Sequence, residues 1–268
     1  VVGTDEEALQ PGELNRHLPA KAQFYAGQGG NQGPLVNHGG PTITNAHVIP
    51  IFWGPSWTSS DSAIASSLTA YVGRYGTTGE YNVITQYSGI QLSNLAGGHA
   101  AIYDTSTPPT NATDAIIQAE VQKYASTGFD SSAIFEVFLP KSSYSSDGSS
   151  TSCGGPNLAY CAYHGNFNAS EGNVKYASMP YPSCGGCQSA GFNDIQNFEH
   201  FISHETREAV TDADGNAWYD RRGNEADDKC AWSPAPFTDS STGTNSDGSA
   251  FAYQYEWSNA NSACLKTR

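Results

Sequence analysis

The sequence NDIQNFEHFISHETREAVTDADGNAWYD, residues 193–220, decides the predicted fold of this chain. Its first part repeats apolar residues at helical spacing, so we expect one face of a helix to pack against a core. The residues of this stripe are Ile195, Phe198, Ile202 and Ala209. Asp, Gly and Asn then cluster at 212–216, which is typical of a helix end followed by a tight turn. The segment therefore predicts an amphipathic helix over 193–210.

Within this helix, His204, Glu205 and Glu208 form the pattern His-Glu-x-x-Glu. Residues four apart lie on the same helix face, so His204 and Glu208 can bind one metal ion. The pattern is similar to the H-E-x-x-H motif of zinc peptidases, with a carboxylate in place of the second histidine. That motif keeps its general base one residue after the first ligand, a role that falls here on Glu205.

This chemistry predicts a metal-dependent endopeptidase that hydrolyses peptide bonds. Zinc lowers the pKa of a bound water to about 7, and Glu205 takes the proton of that water as it attacks an amide carbonyl. The competing interpretation is an ordinary amphipathic helix with a charged outer face. Paired carboxylates such as Glu205 and Glu208 also allow a glycoside hydrolase, which requires a sugar-sized cleft between them.

A longer block, from His204 to Cys230, resembles the phosphate-induced, EXORDIUM-like extracellular proteins of plants and their microbial relatives. The matching motifs are His204-Glu-x-x-Glu208, Thr211-Asp212, Asn216-Ala-Trp-Tyr219, Asn224-Glu225 and Asp228-Lys-Cys230. The apolar segments 48–54 and 174–177 are similar too. The resemblance implies a secreted, cell-wall-associated protein and does not by itself imply an enzyme.

A third metal ligand is expected downstream of the helix. The spacing of the metzincin peptidases favours Asp214, whereas the closing Glu-x-x-Asp-x-Cys of the EXORDIUM-like pattern favours Asp228 and Glu225, with Asp220 as a further candidate. We predict Asp228 first and Glu225 next. For each acid the alternative is a solvated loop side chain. Tyr219, which follows the turn, is interpreted as a packed aromatic rather than an oxyanion donor.

Calcium is the alternative metal. Alternating oxygen ligands around a Gly turn suit a hard cation, and residues 212–216 have that pattern. An all-oxygen site would be built from Glu208, Asp212, Glu225 and Asp228. The ion would then be structural, and the protein would be a non-catalytic EXORDIUM-like module that binds cell-wall polysaccharide or a partner. The other histidines, including His47, His99 and His164, have no ligand-like spacing.

Charge and length exclude several classes of function. The chain has 268 residues with 26 acidic and 12 basic side chains, a net charge of −14. Nucleic-acid binding needs a basic footprint, which is absent, and anionic membranes would repel the chain. No stretch approaches the roughly 20 apolar residues of a membrane span. We expect a secreted, extracellular monomer that acts on extracellular proteins or peptides.

The six cysteines predict disulfides, because an even count in a chain of secreted character favours a bridged framework. Pairing each cysteine with its neighbour gives Cys153–Cys161, Cys184–Cys187 and Cys230–Cys264, although six cysteines allow 15 schemes.

The order of predicted elements resembles that of a zincin catalytic domain, which implies an α+β fold with a mixed sheet, an active-site helix and a disulfide-tied C-terminal region. Residues 1–40 are interpreted as an extended arm or a pro-segment remnant, and 41–268 as the single zincin-like domain. Residues 175–182 are predicted to be the edge strand that lines the substrate cleft. Pro50 suggests an edge or a bulge for its strand. Strands are expected at 47–53, 133–139, 158–167 and 174–180, helices at 61–75, 113–125 and 193–210, a helix or strand at 81–87 and a loop at 142–152.

Overall fold

The computed structural model describes residues 16–28 and 33–268 and has a mixed α+β architecture. In chain order the strands are β1 (His17–Pro19), β2 (Val36–Asn37), β3 (His47–Trp53), β4 (Ile102–Asp104), β5 (Asn111–Thr113), β6 (Ala133–Phe138), β7 (Tyr144–Asp147), β8 (Ser150–Thr151), β9 (Tyr160–Asn168), β10 (Asn173–Met179), β11 (Trp218–Tyr219), β12 (Phe237–Thr244), β13 (Ala250–Tyr253), β14 (Glu256–Ser258) and β15 (Ala263–Leu265). The helices are α1 (Lys21–Gln23), α2 (Ser62–Tyr75), α3 (Asp114–Ala125) and α4 (Asp194–Thr211).

Short helical turns complete the list of elements. The 3-10 turns are Pro55–Thr58, Tyr81–Gln86, Gly185–Cys187 and Asp228–Cys230, and a π-helical turn spans Phe24–Gln28. The segment for which the sequence left helix and strand open therefore forms a 3-10 turn.

The main sheet is six-stranded and mixed, in the order β1-β9-β10-β6-β3-β4. The pairs β10–β6, β6–β3 and β3–β4 are parallel, and β1–β9 and β9–β10 are antiparallel. Strands β3 and β6 are apolar runs because helices cover both faces of the sheet. On one face, Ile117 and Val121 of α3 pack with Ile51 of β3. On the other, Leu68 of α2 and Phe198 of α4 share a core with Val48.

Helix α4 is the central element of that second core. Its first turn is closed by a capping box, in which the Asn193 side chain accepts from the Gln196 backbone and the Gln196 side chain accepts from the Asn193 backbone. Every residue from Ile195 to Thr211 is buried. The competing interpretation of an amphipathic helix with a charged outer face does not hold, because α2, β9, β10 and β13 surround the helix. Its histidines and carboxylates consequently lie inside the protein.

Two predictions about sheet edges are wrong. The strand β10, predicted as the edge, lies between β9 and β6, because β9 folds back on it as a hairpin and β1 adds beyond β9. Pro50 lies in β3, an inner strand. The sheet tolerates this proline because β4 pairs only from Ile51 onward, which leaves Pro50 without a strand partner on that side.

The Ser-rich segment 142–152 is not a loop, because it contains β7 and β8. They form a small sheet with β5. Its polar side chains satisfy buried backbone groups: the Ser152 hydroxyl accepts from the Ser145 backbone N–H at 2.9 Å. Such local pairing gives no apolar periodicity, so the strands had no signal in the sequence.

The N-terminal segment, predicted as an extended arm, contributes β1 to the edge of the main sheet and β2 to a two-stranded sheet with β11. Residues 1–15 and 29–32, also part of that prediction, lie outside the described residues.

The disulfides are Cys153–Cys184, Cys161–Cys187 and Cys230–Cys264. Pairing between neighbours is therefore correct for the last pair and wrong for the other four cysteines. The turn Gly185–Cys187 packs against β9, so Cys187 bridges to Cys161 in β9, and Cys184 bridges to Cys153 in the segment before β9. None of the described helices is long and apolar enough to cross a membrane.

Candidate metal centre

The centre forms where α4 faces β9 and the loop that follows the helix. Helix α4 supplies His204, Glu205 and Glu208, and β9 supplies His164. The loop 220–230 supplies Glu225 and Asp228. At most 3 % of any of these residues is exposed.

His204, Glu208 and Asp228 face one another around one point. The Nε2 of His204 lies 3.1 Å from Oε2 of Glu208 and 3.8 Å from Oδ1 of Asp228. Within the described chain, neither this Nε2 nor Oε2 of Glu208 makes a hydrogen bond. Helical spacing brings the first two together, as predicted, and the Asp228 backbone N–H donates to Oε1 of Glu208 at 3.0 Å, which holds the loop against the helix.

Gln254 determines the orientation of the His204 ring. Its Oε1 lies 3.0 Å from Nδ1 of His204 and 2.9 Å from Nε2 of His200. The Gln254 amide nitrogen donates to the Asp227 carbonyl, so the amide oxygen must face the two rings. The proton of neutral His204 is then on Nδ1, and Nε2 presents a lone pair to the carboxylates, as in metal-binding histidines.

Glu205 lies beside this trio and adjoins a second histidine. Its Oε2 is 3.2 Å from Nδ1 of His164, and its Oε1 accepts the backbone N–H of Leu18 at 3.2 Å. The same His164 nitrogen is 3.6 Å from Oε2 of Glu208, and the other ring nitrogen is 3.4 Å from Oε2 of Glu225. Oε2 of Glu208 thus lies within 3.6 Å of a ring nitrogen of both His164 and His204.

Burial controls the protonation of the cluster. It raises the pKa of Glu205, Glu208, Glu225 and Asp228 well above the usual range, and Glu208 raises the pKa of the other three further. Burial lowers the pKa of His204 to about 3.

The nearby basic side chains, Arg207 and Lys229, form ion pairs with acids other than Glu205, Glu208, Glu225 and Asp228. Arg207 pairs with Asp227 and with Glu256, and Lys229 pairs with Asp220 at 3.1 Å. A bound metal ion would supply the positive charge that keeps the carboxylates ionised. The donor set, an unprotonated imidazole nitrogen with carboxylate oxygens, fits such an ion.

Of the other predicted acids, Asp212 hydrogen-bonds Glu225, and Asp214 lies apart. Asp214 pairs with Lys175 at 2.7 Å and is partly exposed. Asp212 accepts the Ala217 backbone N–H and closes the turn after α4. The Tyr219 ring stacks on His38 with centroids 3.7 Å apart, in the packed position expected for it.

His164 and Gln254 were not recognisable as site residues from the sequence. His164 is 41 residues before Glu205, and Gln254 is 50 residues after His204, so no spacing connects them to the helix. The only sequence signal is their chemistry: a histidine in an apolar strand and a glutamine next to an aromatic strand end.

Two other groups have metal-ligand chemistry among the described residues. His47, His99 and Asp130 meet at the surface, with Nδ1 of His47 2.6 Å from the Asp130 carboxylate. Cys153, Cys184 and Cys187 are close together because they belong to two disulfides.

Comparison with family models, with curated proteins and with solved structures finds no match to this chain.

Proposed function

We propose that the chain is an extracellular, zinc-dependent endopeptidase with His204, Glu208 and Asp228 as metal ligands. The observation that carries the proposal is the Nε2 of His204, buried without a hydrogen bond and facing two carboxylates next to Glu205. Buried acids grouped around an unprotonated ring nitrogen are costly to the fold unless a cation joins them.

Zinc is the metal that the donor set favours. Calcium takes oxygen ligands, whereas imidazole nitrogen with carboxylate oxygen is common at zinc. Bound there, zinc would polarise a peptide carbonyl and lower the pKa of a water to about 7.

Glu205 then acts as the general base. It takes the proton of the attacking water and delivers it to the leaving amine. Its Oε1 already accepts a backbone N–H, that of Leu18, so a peptide nitrogen can lie within proton-transfer distance of this carboxylate. His164, 3.2 Å from Oε2 of Glu205, orients the carboxylate.

A second candidate function is a non-catalytic extracellular module of the EXORDIUM-like type with a structural ion. The observation that favours it is the full burial of His204, Glu205 and Glu208, because structural sites are closed and catalytic sites keep an open position.

Elemental analysis together with casein hydrolysis distinguishes the two functions. For the peptidase we expect one equivalent of zinc, and activity that is lost on chelation and restored by zinc. Glu205→Gln should keep the zinc and lose hydrolysis by at least about 100-fold. Glu171→Gln, on the turn before β10, is the control and should change neither.

Zinc without hydrolysis in every form would support the structural module. Unchanged hydrolysis in Glu205→Gln would refute the role of Glu205. Zinc retained by Glu208→Ala would refute the ligand set.

A further inference from the structure

Residues 16–24, here called the strap, lie against the candidate metal centre, where β1 contacts α4 and the turn Asp228–Cys230 and reaches Glu205. Within the strap, β1 pairs antiparallel with β9 and is the outermost strand of the main sheet on that side. The backbone N–H of His164 donates to the Arg16 carbonyl, and that of Ala20 donates to the Ala159 carbonyl. Without the strap, β9, which contains His164, would be a free strand edge beside Glu205.

The strap presents a peptide nitrogen to the general base. Leu18 N donates to Oε1 of Glu205, and the Leu18 side chain is fully buried in the main core. One residue on, the Pro19 carbonyl accepts from Nε1 of Trp232 at 2.8 Å. The Leu18 N–H and the Pro19 carbonyl are therefore both hydrogen-bonded by side chains of the protein, as the backbone of a bound extended peptide would be.

Charged side chains hold the ends of the strap. Arg16 lies 2.8 Å from Asp147 and 3.5 Å from Asp114, and Nε2 of His17 lies 3.0 Å from the same Asp147 oxygen. At the other end, the Lys21 ammonium lies 5.1 Å from the centre of the Trp232 ring. The strap therefore lies in a groove with two pockets. An acidic pocket holds Arg16, and an apolar pocket two residues further along the chain holds Leu18.

We propose that the strap occupies the substrate groove of this protein and keeps the centre closed. The substrates are peptides that bind extended and antiparallel to β9, with a basic residue in the pocket of Asp147 and Asp114 and an apolar residue in the place of Leu18. In this closed state the strap covers Glu205, while α2, β9, β10 and β13 enclose the helix on its other sides. The substrate part of this proposal rests on the proposed peptidase function, whereas the groove itself does not.

The test uses the full chain in a form whose strap is weakened. Arg16→Ala combined with His17→Ala removes the contacts to Asp147 and leaves the centre intact, and Arg16→Ala alone is the milder variant if the double variant loses its circular dichroism spectrum. Arg74→Ala, at an exposed arginine of α2, is the matched control. The probe is a fluorescently labelled peptide of the strap sequence, RHLPAKAQF, whose binding is followed by fluorescence anisotropy.

We expect the weakened variant to bind the peptide at least about tenfold more tightly than the wild type or Arg74→Ala, since the wild-type groove is filled by its own strap. N-methylation of the leucine nitrogen removes the N–H that reaches Glu205 and should weaken binding about tenfold. Equal affinity for the weakened variant and the wild type, or for the methylated and unmethylated peptides, would overturn the proposal.

Hydrolysis of casein by the zinc-loaded proteins separates this proposal from the proposed function. Binding of the strap peptide without hydrolysis in any form would refute the peptidase and retain the groove. Hydrolysis that is no faster in the weakened variant and is not inhibited by the strap peptide would refute the groove and retain the peptidase.

Discussion

Gln254 shows how one side chain can set the chemistry of the candidate metal centre without belonging to the proposed ligand set. Its oxygen is shared by the rings of His200 and His204, and its nitrogen is fixed by Asp227. The lone pair on Nε2 of His204 depends on this arrangement, because a hydrogen bond at one ring nitrogen decides which nitrogen carries the proton.

Gln254→Leu should therefore weaken zinc binding roughly 10- to 100-fold, the usual effect of losing a residue that orients a ligand. Competition with a zinc-binding dye measures the affinity. Gln118→Leu, which changes a glutamine of α3 bound to Asp114, should leave zinc affinity unchanged. Zinc affinity equal to wild type in Gln254→Leu would remove Gln254 from the centre.

Glu199, which lies on α4 with His204, is expected to make the free energy of unfolding dependent on pH. Burial raises its pKa to about 9, although its Oε2 accepts the Ala252 backbone N–H at 2.8 Å. A group whose pKa is raised by folding contributes stability below its unfolded pKa, and that stability is lost as pH rises towards the folded value.

Glu199→Gln keeps the acceptor oxygen and removes the ionisation. Relative to wild type, its free energy of unfolding should therefore rise as pH increases from about 5 to 9, by a few kcal/mol in total. Urea unfolding at several pH values measures this difference. A difference that is constant across the range would show that Glu199 titrates as an ordinary carboxyl group.

At the scale of elements, α4 begins at a capping box that is encoded locally, whereas its buried polar side chains depend on tertiary packing. Asn193 and Gln196 close its first turn, and the buried polar side chains further along gain partners from β9, β13 and the loop 220–230. We therefore expect the cap to contribute to stability independently of the candidate metal centre.

Asn193→Ala should lower the free energy of unfolding by about 1 kcal/mol, because the Gln196 backbone N–H loses its acceptor. Asn193→Asp keeps that acceptor and should remain within a few tenths of a kcal/mol of wild type. Chemical denaturation of both variants tests the cap. Zinc content should stay the same in both, and a loss of zinc in Asn193→Ala would mean that helix start and centre are coupled.

At the scale of the whole molecule, the disulfides connect the parts that surround the centre. Cys161–Cys187 links β9, the strand that pairs with the strap, to the turn that precedes α4, across a sequence separation of 26. Cys230–Cys264 ties the loop with Asp228 to the C-terminal strand β15.

Peptide mapping without reduction should yield the Cys161–Cys187 pair and no Cys184–Cys187 pair. Replacing both Cys161 and Cys187 with Ala should lower the free energy of unfolding by roughly 3 kcal/mol, as expected when a loop of this length is no longer closed. Thermal denaturation measures the loss. A Cys184–Cys187 link in the map would contradict the pairing in the structure.

The sequence by itself determined what is local. The helix with its His204 and Glu208 pair, the apolar strands β3 and β6 and the α+β class follow from periodicities of a few residues, which backbone geometry fixes. Tertiary structure alone decided that His164 and Gln254 join the centre, that β10 is an inner strand, which cysteines pair, and that the strap covers Glu205. These features depend on how distant segments pack, and neither residue spacing nor propensity records that choice.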